Sequence, residues 1–337
     1  MPDSSSFPPD RSRYPLANVT VGVSVSDVPA ADLAERGLGT MHVEHAFWEI
    51  TRQLLALGAN VAYGGDQRVG GYTRRLFDVV RTYTRDEVDP KTRIFNYLAW
   101  PIHRNLSPAD RNNVTDVCTL VDCALPADLA DDPVVLGLKP TDRLPPDPAP
   151  NRRVWVRCLT AMRQQMNAEI DARILLGGRY GGIVDGKLDR FLGKYAGLVE
   201  EGHLAITSGK PTYLLGGLGG CTAVIVQALE GAVPAPLTLE HHTTADPVYK
   251  ELVQTHSLSP DAPIDYERLR SEFGSTGIAG VKNGLDEEDN RRLFATDEVD
   301  EAVAVVIAGL ERIAGAVAED RHLPVASTRP NAACQSG

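Results

Sequence analysis

The sequence predicts an α/β fold: a doubly wound, Rossmann-like parallel sheet in a single large domain with insertions. Three observations carry this reading. Short apolar runs of strand type alternate with amphipathic helical stretches, the links between them are short, and glycine clusters follow three of the runs directly. Alternation with short links implies parallel strands covered by helices on both faces. Ligands of such open sheets bind beyond the carboxyl ends of the strands, so the residues just after each strand are where chemistry is sought.

The elements follow in order. Residues 19–26 (VTVGVSVS) alternate valine with small residues, as a strand does. Over 41–57, Val43, Phe47, Ile50, Leu54 and Leu57 recur at three- and four-residue steps, which predicts a helix that Gly58 ends. Residues 60–63 read as a second strand, 93–100 (RIFNYLAW) as a third stopped by Pro101, and 117–124 as a fourth. The proline-rich stretch 131–150 reads as a surface excursion or insertion. Beyond it, 159–170 reads as helix, 172–176 as strand, 188–206 as mostly helix, 212–215 as strand and 219–229 as helix. The stretch 299–313 (VDEAVAVVIAGLERI) is a strongly amphipathic helix. The polar, Pro/Ser-bearing ends read as tails. The expected bounds are 1–17 and 319–337 for the tails and 18–318 for the α/β unit, with 131–152 inserted.

Composition narrows the function. Lys and Arg total 34 and Asp and Glu total 45, a formal charge of −11. A chain that acidic repels a phosphate backbone, which disfavours nucleic acid as a partner, while local arginines remain able to grip one small phosphate. No run approaches the length of a membrane span. The first residues have no apolar core of signal-peptide type. Five scattered cysteines, without C-x-x-C, fit a reduced cytoplasm and give neither a disulfide framework nor a cysteine zinc site.

The glycine clusters are the informative feature. The first contains Gly64, Gly65, Asp66, Arg68, Gly70 and Gly71; the second Gly177, Gly178, Arg179, Gly181 and Gly182; the third Gly216, Gly217, Gly219 and Gly220. Glycine lets backbone turn sharply and approach a ligand, and free N–H groups at a following helix start attract anions. Any one box also serves a tight strand–helix turn. Three boxes at strand ends point instead to a nucleotide cleft, with Ser24 near the end of the first strand among its residues. None fits G-x-G-x-x-G with an acidic residue about twenty positions on, so an ordinary dinucleotide site is disfavoured.

Two segments carry a resemblance. Met162-Arg163-Gln164-Gln165-Met166, followed by Asp171-Ala172-Arg173-Ile174-Leu175-Leu176-Gly177-Gly178, resembles the Met-x-x-Arg-Lys … Asp-Ala … Pro-Gly-Gly-x-Gly-Thr segment of LOG-type phosphoribohydrolases. Gly64-Gly65 followed by Gly70-Gly71 resembles the earlier glycine loop of the same proteins. LOG proteins belong to the SLOG superfamily, which also holds ADP-ribose-sensing domains of TRPM channels and nucleotide sensors of bacterial defence. The likeness spans about 19–229. It departs from the LOG pattern at Leu176, where LOG has proline, at Gln164, where LOG has lysine, and at Gly181-Gly182, where LOG threonine is absent. The glutamate of the pattern is displaced to Glu200 and Glu201, beyond a Gly/Lys-bearing insertion at 183–197.

The resemblance implies cleavage of an N-glycosidic bond, with Glu201 (Glu200 beside it) as the carboxylate and Arg163 as its cation. The bland alternative makes these ordinary helix-surface charges. Residues 200 and 201 lie about 100° apart on a helix, so only one faces the ligand squarely. Arg68 and Arg179 are candidate phosphate clamps, and Asp66 either bonds ribose hydroxyls or shapes its turn. His42, His45 and Glu49 share helical spacing, but without H-E-x-x-H order they read as helix-start residues, so no metal and no cofactor is expected. Cys221 opens a helix yet has no partnering base in view. Two functions stay open: a nucleotide N-glycosidase, and a non-catalytic sensor of ADP-ribose or a related NAD-derived nucleotide. The expected partner is a small nucleotide, and the expected assembly a homodimer or higher homo-oligomer.

Overall fold

A computed structural model describes residues 14–65, 71–83, 93–184, 186–256 and 263–322. Six strands form one sheet in the order β4-β3-β2-β1-β5-β8, where β1 is Thr20–Ser26, β2 Asn60–Gly64, β3 Ile94–Leu98, β4 Thr119–Asp122, β5 Ala172–Gly177 and β8 Thr212–Leu215. Every pairing in it is parallel. The chain moves outward from β1 to β4, then returns to place β5 on the other side of β1, with Ser26 opposite Gly177. That reversal is the switch point of a doubly wound sheet, and it opens a crevice at the carboxyl ends of β1 and β5. Gly64, Gly177 and Gly216 each close or directly follow a strand, so all three glycine boxes stand at one edge.

The faces of β1 differ in a way the site depends on. Val21, Val23 and Val25 point into a core shared with helix α2 (Thr40–Ala56), α3 (Tyr72–Tyr83) and α14 (Val299–His322). Gly22, Ser24 and Ser26 point the other way, towards α7 (Ala149–Glu169) and α8 (Gly197–Thr207); a side chain on Gly22 would strike Ile170 and Met166. Helix α9 (Gly220–Leu229) covers Leu175 and Leu214 on that same side, backed by α11 (Pro247–His256) and α12 (Tyr266–Thr276). The helices α1 (Ala30–Glu35), α4 (Trp100–His103), α5 (Pro108–Asn112), α6 (Pro133–Leu136), α10 (Leu239–Ala245) and α13 (Glu287–Ala295) connect these layers. None of the helices described is long and apolar enough to cross a membrane.

Four expectations shift. The core begins before residue 18, because Leu16 is fully buried and its N–H donates to Leu57 O. Helix α14 runs to His322, past the expected end at 318. The segment 131–152 is less of an excursion than its prolines suggest. Buried Asp132 pairs with Arg153, Leu144 O accepts the Trp155 indole N–H at 3.1 Å, and α7 already starts at Ala149. Within 188–206 the helix is confined to the second half: a two-stranded antiparallel hairpin of β6 (Gly182–Val184) and β7 (Lys187–Asp189) comes first, and α8 starts only at Gly197.

Candidate functional site

Helix α7 supplies two stripes. Trp155, Leu159 and Met162, three and four residues apart, border a cleft of about 770 Å3 at the switch point. Thr160, Arg163 and Asn167 form a polar seam against α8. Arg163 donates to Glu200 Oε2, Thr160 Oγ1 donates to Glu200 Oε1 at 2.5 Å, and Asn167 reaches Ser208 Oγ at 3.0 Å. A side chain on Gly193 would collide with the Arg163 guanidinium and one on Gly197 would press against it, so the loop before α8 closes over it.

The two glutamates diverge as their helical spacing requires. Glu200 turns to α7 and is completely buried, whereas Glu201 turns to the sheet and borders the cleft. Neither is a solvated surface charge. Ser24 Oγ donates to Glu201 Oε2 at 2.5 Å, and Arg173 Nη1 reaches the same oxygen at 3.0 Å and Ser24 Oγ at 2.8 Å. The other oxygen, Oε1, lies 3.5 Å from Arg163 Nε, an ion pair without a hydrogen bond. Two carboxylates and two guanidiniums thus close an electroneutral network under the cleft, and removing any one member strands a buried charge, at about 3–5 kcal/mol. Arg173 is missing from the expected site residues. Its signal is visible nonetheless: it is a charge inside the apolar strand Ala172–Gly177, buried throughout.

The wall opposite is built by the hairpin and the segment after it. Arg179 borders the cleft, pairs with Asp189 at 3.1 Å and is 42% exposed. Arg190, also on the lining, pairs with Asp147 at 2.7 Å and Asp246 at 3.3 Å. Phe191 follows, its backbone carbonyl accepting from buried Arg152 at 3.0 Å. Arg152 also donates to Pro146 O and Asp147, so the proline-rich segment latches this wall. Tyr63, Trp155, Phe191 and Leu192 add aromatic and aliphatic surface to the lining of the cleft.

The glycine boxes divide. Gly64, Gly65 and Gly71 of the first border the cleft, while Asp66 and Arg68 lie outside the described residues. In the second, Gly181 borders the cleft; the N–H groups of Gly178 and Arg179 are taken by Ser26 O and Ser26 Oγ, at 3.0 and 3.1 Å. Gly182 lies against His241, where a Cβ would meet the ring at 2.6 Å. The third box stands outside the lining. Its helix start is filled from within: Gly220 N donates to Asp32 Oδ2 at 2.7 Å and Cys221 N to Gly178 O at 2.8 Å. Gly220 takes a φ of +63° with Gly178 O only 2.4 Å from where a Cβ would sit, so this box buttresses the second. A Cβ on Gly216 would meet Phe294 O at 2.5 Å, and one on Gly217 would meet Thr296 O at 1.9 Å.

Burial pushes the Cys221 thiol well above its ordinary range, which keeps it protonated and unreactive. His42 Nδ1 receives the Gly39 N–H at 3.0 Å, a helix-start contact. Among the described residues no cluster of three His, Cys, Asp or Glu is arranged to hold a metal ion.

A protein-family model described as SLOG cluster2 matches residues 15–293. No curated protein matches the chain.

Proposed function

The chain belongs to SLOG cluster 2, and on that premise we propose that its cleft binds a nucleotide-derived small molecule and hydrolyses the N-glycosidic bond, with Glu201 as the carboxylate and Arg163 as its cation. One observation carries the reading. Both side chains are under a tenth exposed, yet both border the cleft at the switch point. A charge kept this deep beside a ligand-sized cavity is poorly explained by stability alone.

In the reaction, water adds to the anomeric carbon as the base leaves with its bonding electron pair and acquires a proton. The sugar passes through a state resembling an oxocarbenium ion. The Glu201 carboxylate, at the cleft border, stabilises the positive sugar carbon or orients the attacking water. Arg163 balances its charge from the α7 side, 3.5 Å from Oε1. Arg179 and Arg190 at the opposite wall suit phosphate oxygens, and the Trp155–Phe191 surface suits the flat base.

A second reading has its own support. Glu201 faces two guanidiniums, from Arg163 and Arg173, so little of its charge is left to stabilise a cation. That favours a sensor that binds ADP-ribose or a related NAD-derived nucleotide without cleaving it. Incubation with AMP, NAD and ADP-ribose, followed by chromatography for free base and ribose phosphate, separates the two. Base release by the wild type, lost in Glu201→Gln, supports the hydrolase; binding without release supports the sensor. We further propose a homodimer or higher homo-oligomer, which light scattering tests.

A further inference from the structure

Arg173 stands apart from every other residue around the cleft. It projects from β5, between β1 and the edge strand β8, and is 0% exposed. Only Nη1 has hydrogen-bond partners, namely Ser24 Oγ and Glu201 Oε2; Nε and Nη2 have none. Burial pulls its pKa below the ordinary arginine value, against the opposing pull of Glu201. A buried guanidinium with two unsatisfied nitrogens costs stability, and an apolar residue would fill the site more favourably. Such a local conflict is expected where function requires it.

What the arrangement achieves is an asymmetry in Glu201. Oε2 receives two donors, one from Arg173 and one from Ser24. Oε1 receives no hydrogen bond from either and stands 3.5 Å from Arg163 Nε. We propose that Arg173 and Ser24 are positioning residues that anchor Oε2 to the sheet and thereby leave Oε1 as the ligand-facing oxygen of Glu201. The proposal rests on the hydrolytic reading for its effect on turnover, but not for its geometry. Arg173 touches no ligand; it acts through Glu201. Small residues on this face of β1 make the anchor possible, since Ser24 leaves the guanidinium room and adds a donor of its own.

The test has two parts. Crystal structures of Ser24→Ala and Arg173→Gln, without ligand, report on geometry whether or not any reaction occurs. The Glu201 carboxylate should leave its place by about an ångström or more in Arg173→Gln, and should shift or become mobile in Ser24→Ala. An ångström of misplacement is enough to cost on the order of a hundredfold in rate. A carboxylate that keeps its position in both overturns the proposal. The second part is a double-mutant cycle on base release from AMP or ADP-ribose. Each single variant should lower kcat by tenfold or more, roughly, with KM within about threefold. In a Glu201→Gln background, the same substitutions should change the residual rate by less than about twofold. Losses that persist undiminished in that background indicate a general structural role and overturn the proposal. If Arg173→Gln does not fold, Ser24→Ala and the paired Arg173→Met/Glu201→Gln variant, which removes both charges together, complete the comparison. Wild type that releases no base refutes the hydrolase alone, and the crystal structures then decide the geometry.

Discussion

His242 predicts an acid-sensitive cleft wall. The residue lies on α10 with 3% of its surface exposed, its Nε2 2.8 Å from Pro236 O. Its ring meets Phe191 edge-on at 5.0 Å and stacks on Tyr266 at 5.2 Å. The neutral ring satisfies Pro236 by donating from Nε2, but a second proton would sit on Nδ1 among these aromatic rings. Burial therefore pushes its pKa down to about 4, the Pro236 bond opposing and His241 adding to the shift. An unfolded chain titrates near 6.5. Above pH 6.5 neither state binds the proton and folding is unaffected. Between 6.5 and 4 the unfolded chain binds more protons, so stability falls as pH falls, and below 4 the whole loss stands. A displacement of roughly two and a half units, at about 1.4 kcal/mol per unit, amounts to about 3 kcal/mol. Burial also lowers the His203 pKa, in the same sense. Urea unfolding at pH 7, 6, 5 and 4.5 should give a stability that declines with acidification, and His242→Gln should flatten the decline by up to about 1 kcal/mol per pH unit. An NMR titration of the His242 ring supplies the site value. Equal slopes for wild type and variant, or a ring that titrates near 6.5, would refute the reasoning. Phe191 borders the cleft, but the folded ring stays neutral down to about pH 4, so ligand affinity should hold through this range and weaken only around and below pH 4.

Other expectations concern single side chains. Glu201→Gln should reduce base release by on the order of a hundredfold while ligand still binds, and Glu200→Gln should do far less to turnover. Because Glu200 is fully buried against Arg163, its variant should instead lose about 3 kcal/mol of stability in urea titration. Arg179→Ala should weaken AMP or ADP-ribose binding by about tenfold, seen as a smaller ligand-induced rise in melting temperature; an equal rise would remove Arg179 from the phosphate site. Gly220→Ala should destabilise the protein by roughly 2 kcal/mol, since it needs a left-handed backbone and pushes into Gly178 O; an unchanged melting temperature would show that the second and third boxes are not packed as described.

The central sheet was legible because its evidence is local. Alternation in 19–26, apolar runs at 60–63, 172–176 and 212–215, and glycines at their ends each mark a strand without outside help. Helix α7 reads ten residues short, because Pro150 looks like a breaker, although a proline in the first turn removes an N–H that no helical carbonyl needs. The hairpin after Gly181 is hidden for another reason: strands of three residues are too short to display alternation. In the site, the pairing of Arg163 with the glutamate pair followed from the resemblance, and helical spacing separates the two glutamates. Two features required the fold. The carboxylate that fills the start of α9 comes from Asp32, 188 residues earlier, and no sequence pattern joins them. Arg173 is a charged residue in a buried strand, a visible anomaly whose meaning depends on Ser24 lying two strand positions from its neighbour across the sheet.

The alternating faces of β1 carry a consequence for anyone who mutates this protein. Valines on one side hold the fold together, while on the other Gly22, Ser24 and Ser26 make room for the charged floor of the cleft. Floor and core therefore share one strand, one residue in thickness. Random substitution will find few changes there that are silent for folding yet informative for the ligand. A screen for expression and a screen for ligand response should rank variants of this strand in nearly the same order, whereas variants of Arg179 or Arg190 at the rim should separate the two rankings.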